Sequence, residues 1–535
     1  MMLSYPEALH RYRPESQRPL PPMEGEEGLL QAFHPDYFAD SMVELVIGPN
    51  RGERCHRSLA ALLQADARIE EGDLAAAPVV QCDLLVIGGG GAGCSAALIA
   101  AEQGARVVLA TKLRLGDSNT VMAEGGIQAS LAAEDTPQLH YEDTLRAGHY
   151  QADRELVATM VNDGPDVLRW LIQQGMQFDL DPYGDILLRQ AGGIGHHRVA
   201  CYRDYTGLEM MRVLREAVFN SNVEVLEYSP AVELLSDQFG GCSGAVLSSL
   251  DHCSYVMVKA NAVIIASGGI GRMHLNGFPT SNHFGATGDG LVLAYRLGAR
   301  VRDLDSFQYH PTGLSYPRHL AGSLITEGVR AHGAYLLNAY GERFIDELRG
   351  RDLVASAILR ECAEGRGFTV AEGGCGVWLD TPRMELLQPG TLQQHFPKLV
   401  QLGRRSGIDP RNAPMAVYPT LHYQNGGVRI DSEGRTNIHG LYCVGEVSGG
   451  IHGRNRIMGN SLLDIICFGR RAGLHAAGRC HSLGHRRATI DHLGDHRRAL
   501  TFAGLSLRYK SPLLFPECAK FDVDSDYNGF RRGET

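Results

Sequence analysis

Gly88, Gly90 and Gly93 stand in GxGxxG spacing directly behind the apolar run 82–87, and glycines placed this way bind phosphate. Gly88 permits a tight turn, Gly90 lets the backbone approach a pyrophosphate, and a helix opening behind them turns free N–H groups and its positive dipole end towards the anion. A glycine triplet alone is weak evidence; its strand-loop-helix-strand setting makes it a dinucleotide signature. Ala92, Ser95, Ala96 and Ala97 are small enough for the helix to pack closely on the strand. Gly104 is its expected stop, and 106–110 completes the unit as a second strand. The acidic residue that ordinarily meets the ribose about 20 residues further on is replaced by Thr111 and Lys112. That disfavours NAD, favours FAD and leaves Lys112 available to a phosphate.

A second group of chemically capable residues lies far along the chain: His310, Thr326, Glu327, Arg330 and Arg351, on short segments that differ in texture from what precedes them. The nucleotide-domain texture returns near Tyr418. A composition that departs and returns indicates an inserted domain. The expected organisation is an N-terminal extension (1–80), a first FAD-domain part (81–302), an inserted domain (303–417), a second FAD-domain part (418–479) and a C-terminal tail (480–535). The extension reads as a segment wrapped on the surface or on a partner, or as a poorly ordered tail. Other expected elements are a core helix over 153–175, an apolar strand over 256–266, a helix opened by TGDG at 287–290 and a short strand at 441–444. No second GxGxxG follows a strand, so a separate NAD(P) domain is not expected.

A chain of 535 residues is too long for one core. With 21% charged residues and a net charge of −10, its bulk composition does not suggest nucleic-acid binding. No apolar run reaches the roughly 18 residues of a membrane span, and the N-terminus lacks a basic-then-apolar export signal. A cytoplasmic location is expected, with any membrane association made through partner subunits. The twelve cysteines are scattered without CxxC or metal-ligand spacing. No metal site is expected, and an iron–sulfur cluster would have to sit on a partner.

The chain resembles the flavoprotein subunit of succinate dehydrogenase and fumarate reductase, a family that includes L-aspartate oxidase. The resemblance covers roughly 82–470 and rests on motifs in the family's order: VIGGGGAG, TKxxxxxSNTVMAEGG, TGDG, QYHPTG (308–313), TEGVR (326–330), GRDLV (350–354), PTLHYQNGG (419–427), GLYCVGE (440–446) and HGRNRIMGNSL (452–462). It implies an α/β fold: a Rossmann-like FAD-binding domain interrupted by an α+β capping domain, with substrate at the flavin between them. By the same resemblance Thr111, Lys112, Ser118, Asn119, Thr120, Gly125, Gly126, Asp289, Glu446, Ser461 and Leu462 join the glycines as cofactor-binding residues. His310, Thr326, His422 and Arg456 match the carboxylate-binding positions. Arg351 matches the proton donor, and Glu327 and Arg330 its relay. A C4 dicarboxylate brings two negative charges into a water-poor cleft, which needs such cations and donors.

Three departures refine this. Asn119 stands where the membrane-bound enzymes carry the His joined covalently to FAD, and an amide cannot make that bond, so FAD is expected to be noncovalent. The family's RGEG reads Arg330-Ala331-His332-Gly333. Ala191 falls where fumarate reductases have a Phe and aspartate oxidases a Glu, which counts against aspartate and leaves room for a bulkier unsaturated acid. The leading expectation is interconversion of fumarate and succinate with a dicarboxylate substrate and an iron–sulfur partner. The alternatives are an L-aspartate oxidase-like enzyme, a reductase of a bulkier unsaturated carboxylate and a noncatalytic FAD-binding subunit.

Overall fold

The structure, a computed structural model, describes residues 25–252, 254–369, 375–483 and 487–516. Its nucleotide-binding unit begins with β1 (Val79–Ile87), α1 (Gly91–Glu102) and β2 (Val107–Ala110). The core helix is α2 (Arg154–Gln173), N-capped by the Asp153 carboxylate, which accepts from the N–H groups of Glu155 and Leu156. Then come β3 (Glu224–Leu226), β4 (Ala231–Ser236), β5 (Cys242–Ser249), β6 (Ser254–Ile265) and α3 (Asp289–Arg296).

The insertion carries β7 (Phe307–Leu314), α4 (Glu327–Ala331), β8 (Leu336–Leu337), α5 (Arg351–Ala363), β9 (Cys375–Leu379), α6 (Pro397–Ser406) and β10 (Met415–Gln424). The chain then returns through β11 (Leu441–Cys443) and α7 (Asn460–Leu483).

The main sheet runs β4-β5-β6-β1-β2-β3. β1, β2, β3 and β6 are parallel, β4 and β5 form an antiparallel flank, and β11 pairs in parallel with the end of β6 beside β5. Such a sheet is covered on both faces, which explains why β2 is buried at every position. The insertion builds a second, wholly antiparallel sheet, β7-β10-β9-β8. Leu314, Leu336, Val377, Leu379, Met415 and Val417 form a separate core with α5 and α6, while Phe307, Tyr309 and Leu421 of the same sheet join the main core.

The N-terminal segment differs from the expected surface wrap. Leu29 and Leu30, on helix Glu26–Phe33, are buried in the second core, while Leu45, Leu59, Leu62 and Leu63 are buried in the main one. It therefore ties the two cores together, contributing apolar side chains to each. The tail also packs in part: Lys510–Ser511 pairs in parallel with Asp66–Ala67, and Arg296 donates to Ser511.

Candidate active site

A cavity of about 200 Å³ runs along the β1–α1 loop, beneath α3 and up to the edge of β10. Its glycine wall needs glycine. Gly88 has φ +121, and a Cβ there would lie 2.2 Å from the carbonyl oxygen of Ala266 on the neighbouring strand end. Gly90 caps α1 without any side chain, so the helix N-terminus opens onto the cavity. Gly93 packs the helix on the turn instead: its Cβ would meet the Gly88 carbonyl oxygen at 1.8 Å.

Of the other expected cofactor residues, Thr111, Lys112, Ser118, Asn119, Thr120, Asp289, Glu446, Ser461 and Leu462 line the cavity. Gly125 and Gly126 do not. Gly126 instead lets its backbone pack against Ala200, whose carbonyl oxygen a Cβ would meet at 2.4 Å.

Lys112 differs most from expectation. Its Nζ lies 2.5 Å from Asp289 and donates to the carbonyls of Gly285 and Leu514 and to Thr287 Oγ1. With these partners the ammonium shapes the wall rather than standing free for a phosphate.

Asn119 is equally engaged. Its amide N–H groups donate to Asn282 Oδ1 (2.6 Å) and Glu446 Oε2 (3.1 Å), and its carbonyl accepts from the His283 N–H. Burial raises the Glu446 carboxyl to about 7, although the Gln424 N–H and Asn119 both favour its charged form. Ser267 Oγ is buried in this wall without a protein partner among the described residues. Close backbone approach, an open helix N-terminus and an unpaired hydroxyl together fit a dinucleotide such as FAD.

At its other end the cavity is lined by His422 and Arg456, while His310, Thr326, Glu327, Arg330 and Arg351 do not line it. His422 sits at a bulge: Gln308 pairs with Tyr423 and Tyr309 with Leu421, leaving His422 as the extra residue of β10. A bulge re-aims a side chain, and here the imidazole comes to 5.1 Å from that of His310, centroid to centroid, with its Nδ1 2.8 Å from Ser281 Oγ. Burial, reinforced by Arg351 and Arg456, holds both imidazoles well below the usual histidine range, so they are neutral at ordinary pH.

Gln308, which sequence reasoning did not single out, joins the two arginines. Its Oε1 accepts from Arg351 Nη1 (2.9 Å) and Arg456 Nη2 (3.0 Å), and its amide N–H groups are fixed by Asn455 Oδ1 and the Arg456 carbonyl. Its only sequence signal is its place at the head of QYHPTG.

Arg351 is the first residue of α5, and its Nε donates to Glu327 Oε2 at 2.7 Å. Glu327 begins α4, whose N-cap is Thr326. Burial works against the Glu327 charge, but Arg351, Arg330 and the Gly192 N–H (2.7 Å) outweigh it, and its carboxyl lies below the usual range. Arg330 Nη2 is 3.4 Å from the same carboxylate, and its Nη1 donates to the Glu347 carbonyl. Arg351, Glu327 and Arg330 thus form one continuous contact path. Ala191 is buried in an apolar cluster with Ile194, Cys201 and Met458, and has no carboxylate to offer an amine.

Comparisons with known proteins give the family and the fold. The family described as FAD binding domain matches residues 83–462, and the chain belongs to this family of FAD-dependent oxidoreductases. Among its relatives, the corresponding chain of fumarate reductase (CoM/CoB) from Methanothermobacter marburgensis is 40% identical over 417 residues, covering 76% of this chain and 74% of the relative. L-aspartate oxidase of Streptomyces coelicolor is 38% identical over 422 residues, covering 75% and 70%. Of solved structures, an Escherichia coli quinol fumarate reductase FrdA variant superimposes with a TM-score of 0.72 at 31% identity over 79% of this chain and 74% of its own. Mycobacterium smegmatis Sdh1 gives 0.67 at 34%, over 79% and 73%. The fold is that of the succinate dehydrogenase and fumarate reductase flavoproteins.

Proposed function

We propose that this chain is a flavoprotein subunit that interconverts fumarate and succinate, or a near analogue, with noncovalent FAD. The observation that carries this reading is the charge imbalance around Gln308 and Glu327. Arg351, Arg330 and Arg456 converge there with one carboxylate among them. Of the three, Arg456 has no direct ion pair among the described residues, and a substrate carboxylate fits that place, since buried charges require matching.

FAD, when bound, supplies hydride exchange with an olefinic carbon. Arg456 clamps one substrate carboxylate, and the neutral His310 and His422, with Thr326, supply further hydrogen bonds. Arg351, steadied by Glu327 and Gln308, exchanges the proton at the neighbouring carbon. Glu327 and Arg330 replace that proton from outside. The scattered cysteines carry no cluster motif, so electrons are proposed to come from an iron–sulfur subunit. Among the described residues no helix is long and apolar enough to cross a membrane; the proposed cytoplasmic chain would reach a membrane only through partners.

The test uses chain reconstituted with FAD, following oxidation of a reduced dye by fumarate. Steady turnover is expected. Turnover with aspartate and none with fumarate would establish the oxidase reading instead, which the Streptomyces relative makes the natural second choice. Acid denaturation followed by filtration is expected to pass all yellow colour. Colour kept on the polypeptide would disprove the noncovalent part alone.

A further inference from the structure

Arg456 is held unlike its two neighbours. Arg351 and Arg330 both touch Glu327, but among the described residues no carboxylate is paired with Arg456. Its Nη1 donates to Ser461 Oγ (3.1 Å) and the Ile457 carbonyl (3.4 Å), its Nη2 to Gln308, and its buried Nε has no partner among the described residues. The guanidinium lies instead over the ring of Tyr423, 4.4 Å from its centroid.

Behind that ring is a buried chain. The Tyr423 hydroxyl donates to Asp464 Oδ2 at 3.1 Å, and His452 Nε2 lies 2.6 Å from the same oxygen. A carboxylate can only accept, so both groups donate to it. Asp464 is 0% exposed, the fifth residue of α7, and His452 is 3% exposed with its ring edge-on to Tyr423 at 5.5 Å. A phenol donating to a buried carboxylate gains electron density on its ring, which strengthens the attraction of that face for a cation.

We propose that His452, Asp464 and Tyr423 are positioning residues that aim Arg456 at the substrate by way of the Tyr423 ring face. This rests on reading Arg456 as a dicarboxylate clamp. A direct carboxylate partner would hold the guanidinium too, but would compete with the substrate for it. A π face attracts the cation from one side and leaves the in-plane N–H groups free for a carboxylate. Asp464 thus acts at one remove, its charge delivered through the phenol. Burial, with Arg351 alongside, brings Arg456 down to about 10, so support for its charge has something to counter.

The experiment titrates FAD-loaded protein with malonate, a dicarboxylate with no carbon–carbon double bond to reduce, and reads the flavin absorbance. Tyr423→Phe keeps the ring and removes the hydroxyl; Asp464→Asn keeps the shape and removes the charge. Each is expected to weaken malonate binding about 3–10-fold with kcat for fumarate within about twofold, and the double variant no further, because both act through one path.

In an Arg456→Gln background, which leaves no cation over the ring, Tyr423→Phe is expected to add nothing. A loss that persists undiminished there would show a general packing role and overturn the inference. Equal malonate affinity in wild type, Tyr423→Phe and Asp464→Asn would overturn it while leaving the clamp intact. Failure of the wild type to bind malonate would bring down the functional reading first and this with it. If Asp464→Asn loses flavin, Tyr423→Phe, which deletes a single hydroxyl, still decides the matter.

Discussion

At the nucleotide end of the cavity, the ammonium of Lys112 is matched by Asp289 and three further acceptors; at the cap end, Arg351 and Arg330 share Glu327 and Arg456 has no carboxylate among the described residues. The first end balances its own charge and presents backbone and shape. The second is left cationic. A cofactor that stays bound is served by a wall whose charged side chains are already paired, with the α1 N-terminus and the Ser267 hydroxyl left to meet it. A substrate dianion that comes and goes is served by a deficit only it can fill. The contrast implies that substitutions at the cap end change turnover or substrate affinity, while those at the nucleotide end change flavin retention.

The largest effect should come from Arg351→Lys. General acid catalysis contributes about 10²–10⁴-fold, and lysine cannot bond Glu327 and Gln308 at once in the planar geometry of Arg351. We expect kcat to fall by that range with KM changed little, since the interaction matters in the transition state. Arg456→Lys should do the reverse, raising KM about 10–100-fold as a bidentate clamp becomes a point charge, with kcat largely kept. Steady-state kinetics with fumarate decides both. A near-normal kcat with raised KM in Arg351→Lys would make Arg351 a second clamp.

At the nucleotide end, Lys112→Met removes one member of a mostly buried pair and leaves Asp289 uncompensated. Allowing for partial solvent access, the cost should be on the order of 2 kcal/mol, about 5 °C in the melting temperature. Flavin affinity should fall about tenfold, with kcat at saturating FAD unchanged. A fall in kcat instead would erase the division between the two ends.

How far the sequence shows this division depends on distance along the chain. The glycine turn is local: Gly88, Gly90 and α1 follow from a few adjacent residues, as does the Asp153 cap of α2. Thr326, Glu327 and Arg351 are identifiable because their motifs are short. Lys112 looks free because its partners, Asp289 and Leu514, are distant in sequence and nothing in the local pattern names them. Gln308 escapes notice because a neutral amide carries no obvious chemistry until two arginines are found on its oxygen. Gly125 and Gly126 look the same in sequence whether they face a flat ring or a neighbouring strand. The N-terminal segment has no clear periodicity because it divides its apolar residues between two cores.

The smallest effect lies where the two regions meet. Glu124, in the nucleotide-binding part, reaches Lys398 of α6 at 3.0 Å. Burial raises its carboxyl to about 7, against the pull of Lys398. In the unfolded chain the same group titrates near 4.5. Between those values the folded protein holds a proton that the unfolded chain has released, so this residue's contribution to stability falls as pH rises from about 4.5 through 7 and levels off about one pH unit above. The buried histidines act oppositely below their ordinary range, so the whole-protein profile does not isolate the effect; the difference from Glu124→Gln does. The wild type's stability relative to that variant should decline by a few degrees in melting temperature between about pH 5 and 8, on the order of 1–2 kcal/mol, and then stay constant. A difference that is flat across this range would mean that Glu124 is ionised throughout, and that Lys398 joins the two regions by a full ion pair.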